Sequence, residues 1–277
     1  GNGGPHHTTR ENAMSNQLQP CISLGCVSYI NSFPLSLQLI KRNDIRCVLA
    51  PPADLLNLLI EGKLDVALTS SLGAISHNLG YVPGFGIAAN QRILSVNLYA
   101  APTFFNSPQP RIAATLESRS SIGLLKVLCR HLWRIPTPHI LRFITTKVLR
   151  QTPENYDGLL LIGDAALQHP VLPGFVTYDL ASGWYDLTKL PFVFALLLHS
   201  TSWKEHPLPN LAMEEALQQF ESSPEEVLKE AHQHTGLPPS LLQEYYALCQ
   251  YRLGEEHYES FEKFREYYGT LYQQARL

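Results

Sequence analysis

The chain has 277 residues, 45% of them hydrophobic and 16% charged, with a formal net charge of −3 at pH 7. That length buries a large core in one or two domains, and the charge balance offers no basic face for nucleic acid. No run of 18 apolar residues occurs, so no membrane span is expected. The five cysteines (Cys21, Cys26, Cys47, Cys129 and Cys249) are odd in number and show no C-x-x-C spacing. A reduced, cytoplasmic chain fits them better than a disulfide framework or a zinc site. Residues 1–14 read as a disordered leader without the apolar core of a secretory signal.

The first element is an apolar strand, Ile22 to Val27. Pro34 then opens a helix carrying Leu35, Leu37, Leu39 and Ile40, in the first turn where its missing N–H has no partner to lose. Ser28 and Asn31 therefore sit on a strand-to-helix turn, at the sheet edge where α/β proteins bind ligands. The free N–H groups of the helix start favour an anion there. Asn31 or Ser32 can equally serve as an ordinary N-cap.

A second strand, Ile45 to Leu49, ends at Pro51-Pro52 and leads into a helix with Leu55, Leu56, Leu58, Leu59 and Ile60. Gly62 stops it, and the strand Leu64 to Thr69 completes a βαβ unit with parallel strands. Ser70 and Ser71 lie at its carboxyl end. Ile93 to Tyr99 alternates as a strand with Ser95 inside it; Ser95 is either a site hydroxyl or a buried serine bonded to backbone.

A second series begins at Ile112. Its strand runs into the polar turn Thr115-Leu116-Glu117-Ser118-Arg119-Ser120-Ser121, followed by a helix with Ile122, Leu124, Leu125, Val127, Leu128 and Leu132. One cap needs one or two hydroxyls, so the surplus points to an anionic or carboxylate ligand. Leu141 to Thr145 and Leu159 to Ile162 read as further strands. Asp164 follows the latter, either as an N-cap or as a carboxylate facing a cleft. Pro191 to His199 returns as an apolar strand.

The tail reads as helical. Ser223-Pro224-Glu225-Glu226 has a capping-box pattern, Ser240 to Leu253 forms the next helix, and Tyr258, Phe261, Phe264 and Tyr268 line a last helix that ends at Gly269.

This pattern predicts an α/β fold of two lobes with C-terminal helices, one lobe formed by 15–98 plus 200–277 and the other by 99–199. Hinge motion is expected at the crossover strands near 97–101 and 196–200. A cleft between the lobes collects hydroxyls and amides. No H-E-x-x-H, Walker or dinucleotide motif is present, so neither a metal nor another cofactor is expected.

Seven segments together resemble the chorismate dehydratases of the futalosine route to menaquinone. They are VSYINSFPL (27–35), APPADLLNLLIEGKLDVALTSS (50–71), ILSV (93–96), TLESRSS (115–121), LLIGDAAL (160–167), DLASGWYDLTKLPFVFAL (179–196) and YRLGEE (251–256). The resemblance covers roughly residues 20–270 and implies a periplasmic-binding-protein-like (type II) fold. It implies a hydro-lyase that removes water from chorismate to give 3-[(1-carboxyvinyl)oxy]benzoate; because the motifs offer no evident histidine or glutamate base, a substrate carboxylate is expected to take the proton.

Of the matched positions, Asn31 and Ser95 are expected at the chemistry. Ser28, Ser70, Ser71, Thr115, Ser118, Ser120, Ser121 and Asp164 are expected to bind substrate. Arg119 departs from the family pattern, which leads one to expect a small residue there; it reads either as a solvated side chain or as an extra carboxylate contact. The alternatives are the 1,4-dihydroxy-6-naphthoate synthase of the same pathway, whose cysteine-proline-asparagine-aspartate turn is absent, and a non-enzymatic solute- or effector-binding protein for a small carboxylate. No nucleic-acid or membrane partner is expected.

Overall fold

Two twisted sheets divide the chain between them in a computed structural model that describes residues 21–117 and 119–273. The expected leader and Ser118 lie outside the described residues.

The first sheet has six strands: β1 (Ile22–Val27), β2 (Ile45–Ala50), β3 (Val66–Ser70), β4 (Tyr81–Ala89), β10 (Phe192–His199) and β11 (Cys249–Arg252). Their order is β11-β4-β10-β3-β1-β2. β1 pairs in parallel with β2 and β3, as the βαβ pattern requires, while β10 runs antiparallel between β3 and β4. The second sheet contains β5 (Val96–Ala100), β6 (Arg111–Thr115), β7 (His139–Phe143), β8 (Gly158–Ile162) and β9 (Val176–Asp179), in the order β7-β6-β8-β5-β9.

β10 therefore belongs to the first sheet and β5 wholly to the second, which differs from the expected division at 98/99 and 199/200. The chain crosses between sheets over residues 90–95 and again over 180–191. The expected hinge segments 97–101 and 196–200 lie instead mostly within or just beyond strands. Apolar patterning locates strands well but does not say which sheet a strand joins.

Helices cover the faces: α1 (Phe33–Leu39), α2 (Pro52–Ile60), α3 (Leu72–Ser76), α4 (Arg119–His131), α5 (Thr145–Leu149), α6 (Gly163–Gln168) and α7 (Leu180–Thr188). α8 (Leu208–Ser222), α9 (Glu225–Thr235), α10 (Pro239–Leu248) and α11 (Glu255–Gln273) complete the chain. In β8, Leu160 packs into the larger core, whereas Leu159 and Leu161 pack with Tyr99, Val148 and Phe175 on the opposite face. A strand buried on both faces reads as the continuous apolar run seen in the sequence.

Three expectations fail in the tail. The helix expected over 240–253 stops at Leu248, where Cys249 turns extended and its strand pairs with β4. The last helix continues through Gly269, which has open space around it and no left-handed backbone to break the helix. The helix α8 has no counterpart in the sequence reading. The capping box is also unrealised, because Pro224 is the N-cap of α9 and no side chain caps it.

α11 packs on both α4 and β10, so it fastens the second sheet's main helix to the first sheet. Trp184 is fully buried at this junction, with Nε1 donating to Ser260 at 2.9 Å and its ring edge-on to Phe192 and Phe264.

Gly86 on β4 marks the tightest backbone approach. A Cβ there would lie 2.5 Å from the Ala195 carbonyl oxygen and meet the Leu253 side chain. Gly86→Ala should therefore cost about 1–3 kcal/mol, as overpacking does. A urea midpoint equal to wild type would show that β4 and β10 can shift apart without loss.

Candidate active site

The carboxyl ends of β1, β2 and β3 face those of β6, β7 and β8 and the start of β5. They enclose a cavity of about 550 Å³. Asn31, Ser70, Ser95, Ser120, Ser121 and Asp164 all line it. Ser28 does not; it is exposed just beyond β1. Ser71 points away from the cavity and donates to the Val193 carbonyl at 2.9 Å, which binds β3 to β10. Thr115 is buried at the end of β6, outside the cavity wall. At the end of β3 the two adjacent hydroxyls diverge, so Ser70 serves the site and Ser71 the fold.

The turn that carries Asn31 is built by its neighbours. Ser32 is fully buried, and its hydroxyl donates to the carbonyls of Val27 at 2.7 Å and Tyr29 at 2.8 Å. It closes the turn and caps no helix N–H. Tyr246 donates to the Ile30 carbonyl and Tyr251 to the Asn31 carbonyl, each at 2.6 Å. With its backbone held, Asn31 presents a buried Oδ1 that has no hydrogen-bond partner among the described residues. An unsatisfied acceptor in a cavity wall is a place for a ligand donor.

Ser95 ends the crossing segment. It is buried and its hydroxyl donates to Tyr245 at 3.2 Å, while its carbonyl accepts from the Gly163 N–H at 2.8 Å. Gly163 has φ +61°, a left-handed conformation that glycine adopts without strain. Leu94 has φ +70°, which is unusual for a branched side chain. The Asp179 carboxylate holds that conformation: Oδ2 accepts from the N–H groups of Ile93 at 2.9 Å and Leu94 at 2.8 Å. Its Oδ1 accepts from Ala181 at 2.9 Å and so caps α7.

Charge is unevenly spread around the wall. Asp164 is the second residue of α6 and caps nothing, so the cleft-facing alternative holds. Burial raises its pKa above the ordinary carboxylate value, with nearby His234 and its own backbone N–H acting the other way. Glu117 accepts from the Tyr29 hydroxyl at 2.9 Å across the mouth. Ser70 and Ser120 also share a hydrogen bond across it. Arg119 and Arg142 both line the cavity, and so does Tyr245, a fully buried phenol whose pKa burial drives far up. Sequence reasoning missed Tyr29, Arg142, Thr145, His234 and Tyr245. The aromatic tail signalled a packed helix face, and nothing local said that one of its rings reaches Ser95. Among the described residues, no group of three or more His, Cys, Asp or Glu side chains could hold a metal ion.

Two α/β sheets whose strand ends face each other across a cavity define the periplasmic-binding-protein-like fold class. The fold matches a protein from Archaeoglobus fulgidus with a TM-score of 0.71 at 14% identity, covering 90% of this chain and 97% of that one. It also matches the periplasmic aliphatic sulphonate-binding protein of Escherichia coli with a TM-score of 0.66 at 15% identity, covering 93% and 88%. Within this class the chain belongs to the menaquinone-biosynthesis family, whose profile matches residues 22–270. It is 32% identical to the chorismate dehydratase of Thermus thermophilus over 270 residues, 89% of this chain and 94% of that protein. The chorismate dehydratase of Campylobacter jejuni is 27% identical over 178 residues, covering 62% of this chain and 64% of its own.

Two outcomes test the division of the predicted set. Ser71→Ala should lower stability by about 1–3 kcal/mol, because a buried carbonyl loses its donor. An unchanged urea midpoint would remove Ser71 from the β3–β10 joint. Asp164→Asn should raise the melting temperature at pH 7, since the charged form is the one burial disfavours. The raised folded-state pKa makes that penalty present above the carboxylate range and absent below the unfolded value, so the gain should vanish near pH 3. Melts of both proteins at the two pH values decide it; a gain that persists in acid means the effect is packing, not charge.

Proposed function

We propose that this protein dehydrates chorismate to 3-[(1-carboxyvinyl)oxy]benzoate in menaquinone biosynthesis. The observation that carries the proposal is the nearly full-length match to the Thermus thermophilus chorismate dehydratase. The cavity supplies a chemistry consistent with it.

Chorismate carries two carboxylates and a ring hydroxyl next to an acidic ring C–H. Breaking that C–H and the C–O bond releases one water and leaves an aromatic ring, so the driving force lies in the substrate. The protein's task is to fix geometry, keep solvent out and stabilise negative charge. We assign proton abstraction to one of the substrate's own carboxylates, which passes that same proton to the departing hydroxide, so one water leaves and the carboxylate is regenerated.

Asn31 and Ser95 are assigned to the reacting centre. The unpartnered Oδ1 of Asn31 accepts from the substrate hydroxyl. Ser95 gives its proton to Tyr245 in the free enzyme; turned toward the cavity, the same hydroxyl donates to the departing oxygen and supports the charge that develops there. Tyr245 stays a neutral phenol throughout, because burial disfavours its anion. Ser70, Ser120, Ser121 and the first N–H groups of α4 contribute donors for a carboxylate.

The two sheets with their helices act as lobes that close on substrate. The contacts Tyr29–Glu117 and Ser70–Ser120 link them across the mouth, and the hinge falls at the crossings 90–95 and 180–191. The reaction takes place in the cytoplasm, a reducing setting that suits five free thiols.

Asn31→Ala and Ser95→Ala should each lower turnover of chorismate by about 10²–10³, the usual cost of losing one group that stabilises the transition state. Melting temperatures should move little. Turnover and melting measured on the same preparations decide between roles: a variant within about tenfold of wild-type turnover but clearly less stable returns its residue to the scaffold.

A further inference from the structure

Arg119 and Arg142 are cavity residues with no partner that the fold supplies. Arg142 stands on β7 opposite Ala114, beside the end of β6, and Arg119 opens α4 just beyond that end. Both face the same space. Elsewhere Arg42, Arg92, Arg252 and Arg265 pair with surface carboxylates, and Arg46 and Arg111 bond to serine or backbone oxygens. Among the described residues neither Arg119 nor Arg142 has a carboxylate within ion-pair distance. Of the two acids of the cavity, Glu117 takes the Tyr29 hydroxyl, and Asp164 on α6 lies near His234.

We infer that Arg119 and Arg142 form a paired guanidinium anchor for one carboxylate of a dicarboxylate ligand, on the part of the cavity wall across the sheet edge from Ser95. The inference rests on the proposed reading of Asn31 and Ser95 as the reacting residues.

Strand order supplies the geometry. From β7 through β6 and β8 to β5 there are three strand spacings, about 14 Å along the sheet edge. Arg142 lies at one end of that line, and Ser95, just before β5, at the other. An extended arginine side chain spans nearly half of it. What remains suits a six-membered ring with one carboxylate toward the arginines and its reacting carbons toward Asn31 and Ser95.

Charge supplies the reason. Burial first, and the like charge of Arg119 second, hold the Arg142 guanidinium below its ordinary pKa. Two cations on one wall repel until an anion lies between them, and then each N–H bond is charge-assisted. The planar fork matches a carboxylate in two-point contact, which a lysine ammonium does not. Serine hydroxyls and helix N–H groups add donors but no full charge. The anchor therefore selects for a second carboxylate: a ligand lacking it leaves both cations unpaired in a half-closed site.

The test uses the full chain and chorismate itself. Arg119→Gln, Arg142→Gln and the double variant are compared with wild type by calorimetric binding and by steady-state turnover, at low and at 0.5 M added salt, alongside Arg142→Lys. Each Gln variant should weaken binding and raise KM about tenfold to hundredfold, with kcat falling far less. The double variant should lose most of the salt dependence that wild-type binding shows. Arg142→Lys should recover part of the affinity, which a merely structural defect would not.

Wild type that binds and converts chorismate, with Gln variants of unchanged KM and salt dependence, overturns the anchor and leaves the proposed reaction standing. A fall in kcat at constant KM also overturns it, since the arginines would then act at the chemistry. Chorismate bound but not converted, with binding lost in the Gln variants, keeps the anchor and defeats the reaction. No binding to wild type defeats both.

Discussion

The carboxylate of Asp179 ties together the parts that the site depends on. It lies where β9 ends and α7 begins, and it accepts from four backbone N–H groups, two in α7 and two in the crossing segment at Ile93 and Leu94. Burial alone would favour its neutral form, and the four donors oppose that. One side chain thus caps the helix of the second crossing and fixes the first crossing just ahead of Ser95. Without that clamp, the left-handed Leu94 keeps only the Asn97 amide on its carbonyl, and the backbone ahead of Ser95 loosens.

The C-terminal segment is the second support. Tyr245 and Tyr246 come from the last turn of α10, and Tyr251 from β11, the strand that adds to β4. Their hydroxyls reach Ser95 and the carbonyls of Ile30 and Asn31, so two buried phenols meet the positions assigned to the chemistry and the third holds the residue beside Asn31. A tyrosine suits this task because it buries a large apolar body and still satisfies a polar group at its tip. The tail is therefore part of the site's foundation, and α11 locks it by packing on both sheets' elements.

The cavity is graded along the sheet edge. Arg142 stands at the β7 end, Arg119 with Ser120 and Ser121 beyond β6, and Ser95 with the Tyr245 phenol at β5, while Asn31 faces them from the turn after β1. A ligand held at its charged end and reacting at its other end needs little acid–base equipment from the protein, provided it carries its own base. That arrangement fits a wall rich in hydroxyls, where the acidic side chains serve as hydrogen-bond acceptors or sit raised in pKa.

The sequence alone determined the α/β class, most strands, the turn at Asn31 and the hydroxyl-rich start of α4. These are local properties: apolar periodicity, proline at a helix start and a surplus of capping groups all act within a few residues. It also carried the family resemblance, because ordered short segments survive as text. Tertiary structure decided the rest. Which sheet β10 joins depends on partners 100 residues away, and so does the extended pairing that ended the helix at Leu248. Whether Ser70 or Ser71 faces the cavity depends on which side of β3 packs against β10. Arg142 is one exposed residue on an edge strand until the fold places it on the cavity wall beside Arg119, and Tyr245 is one apolar helix position among many until its hydroxyl meets Ser95. Contacts of that kind are set by how two sheets dock, and docking is decided by shape and burial summed over the whole chain.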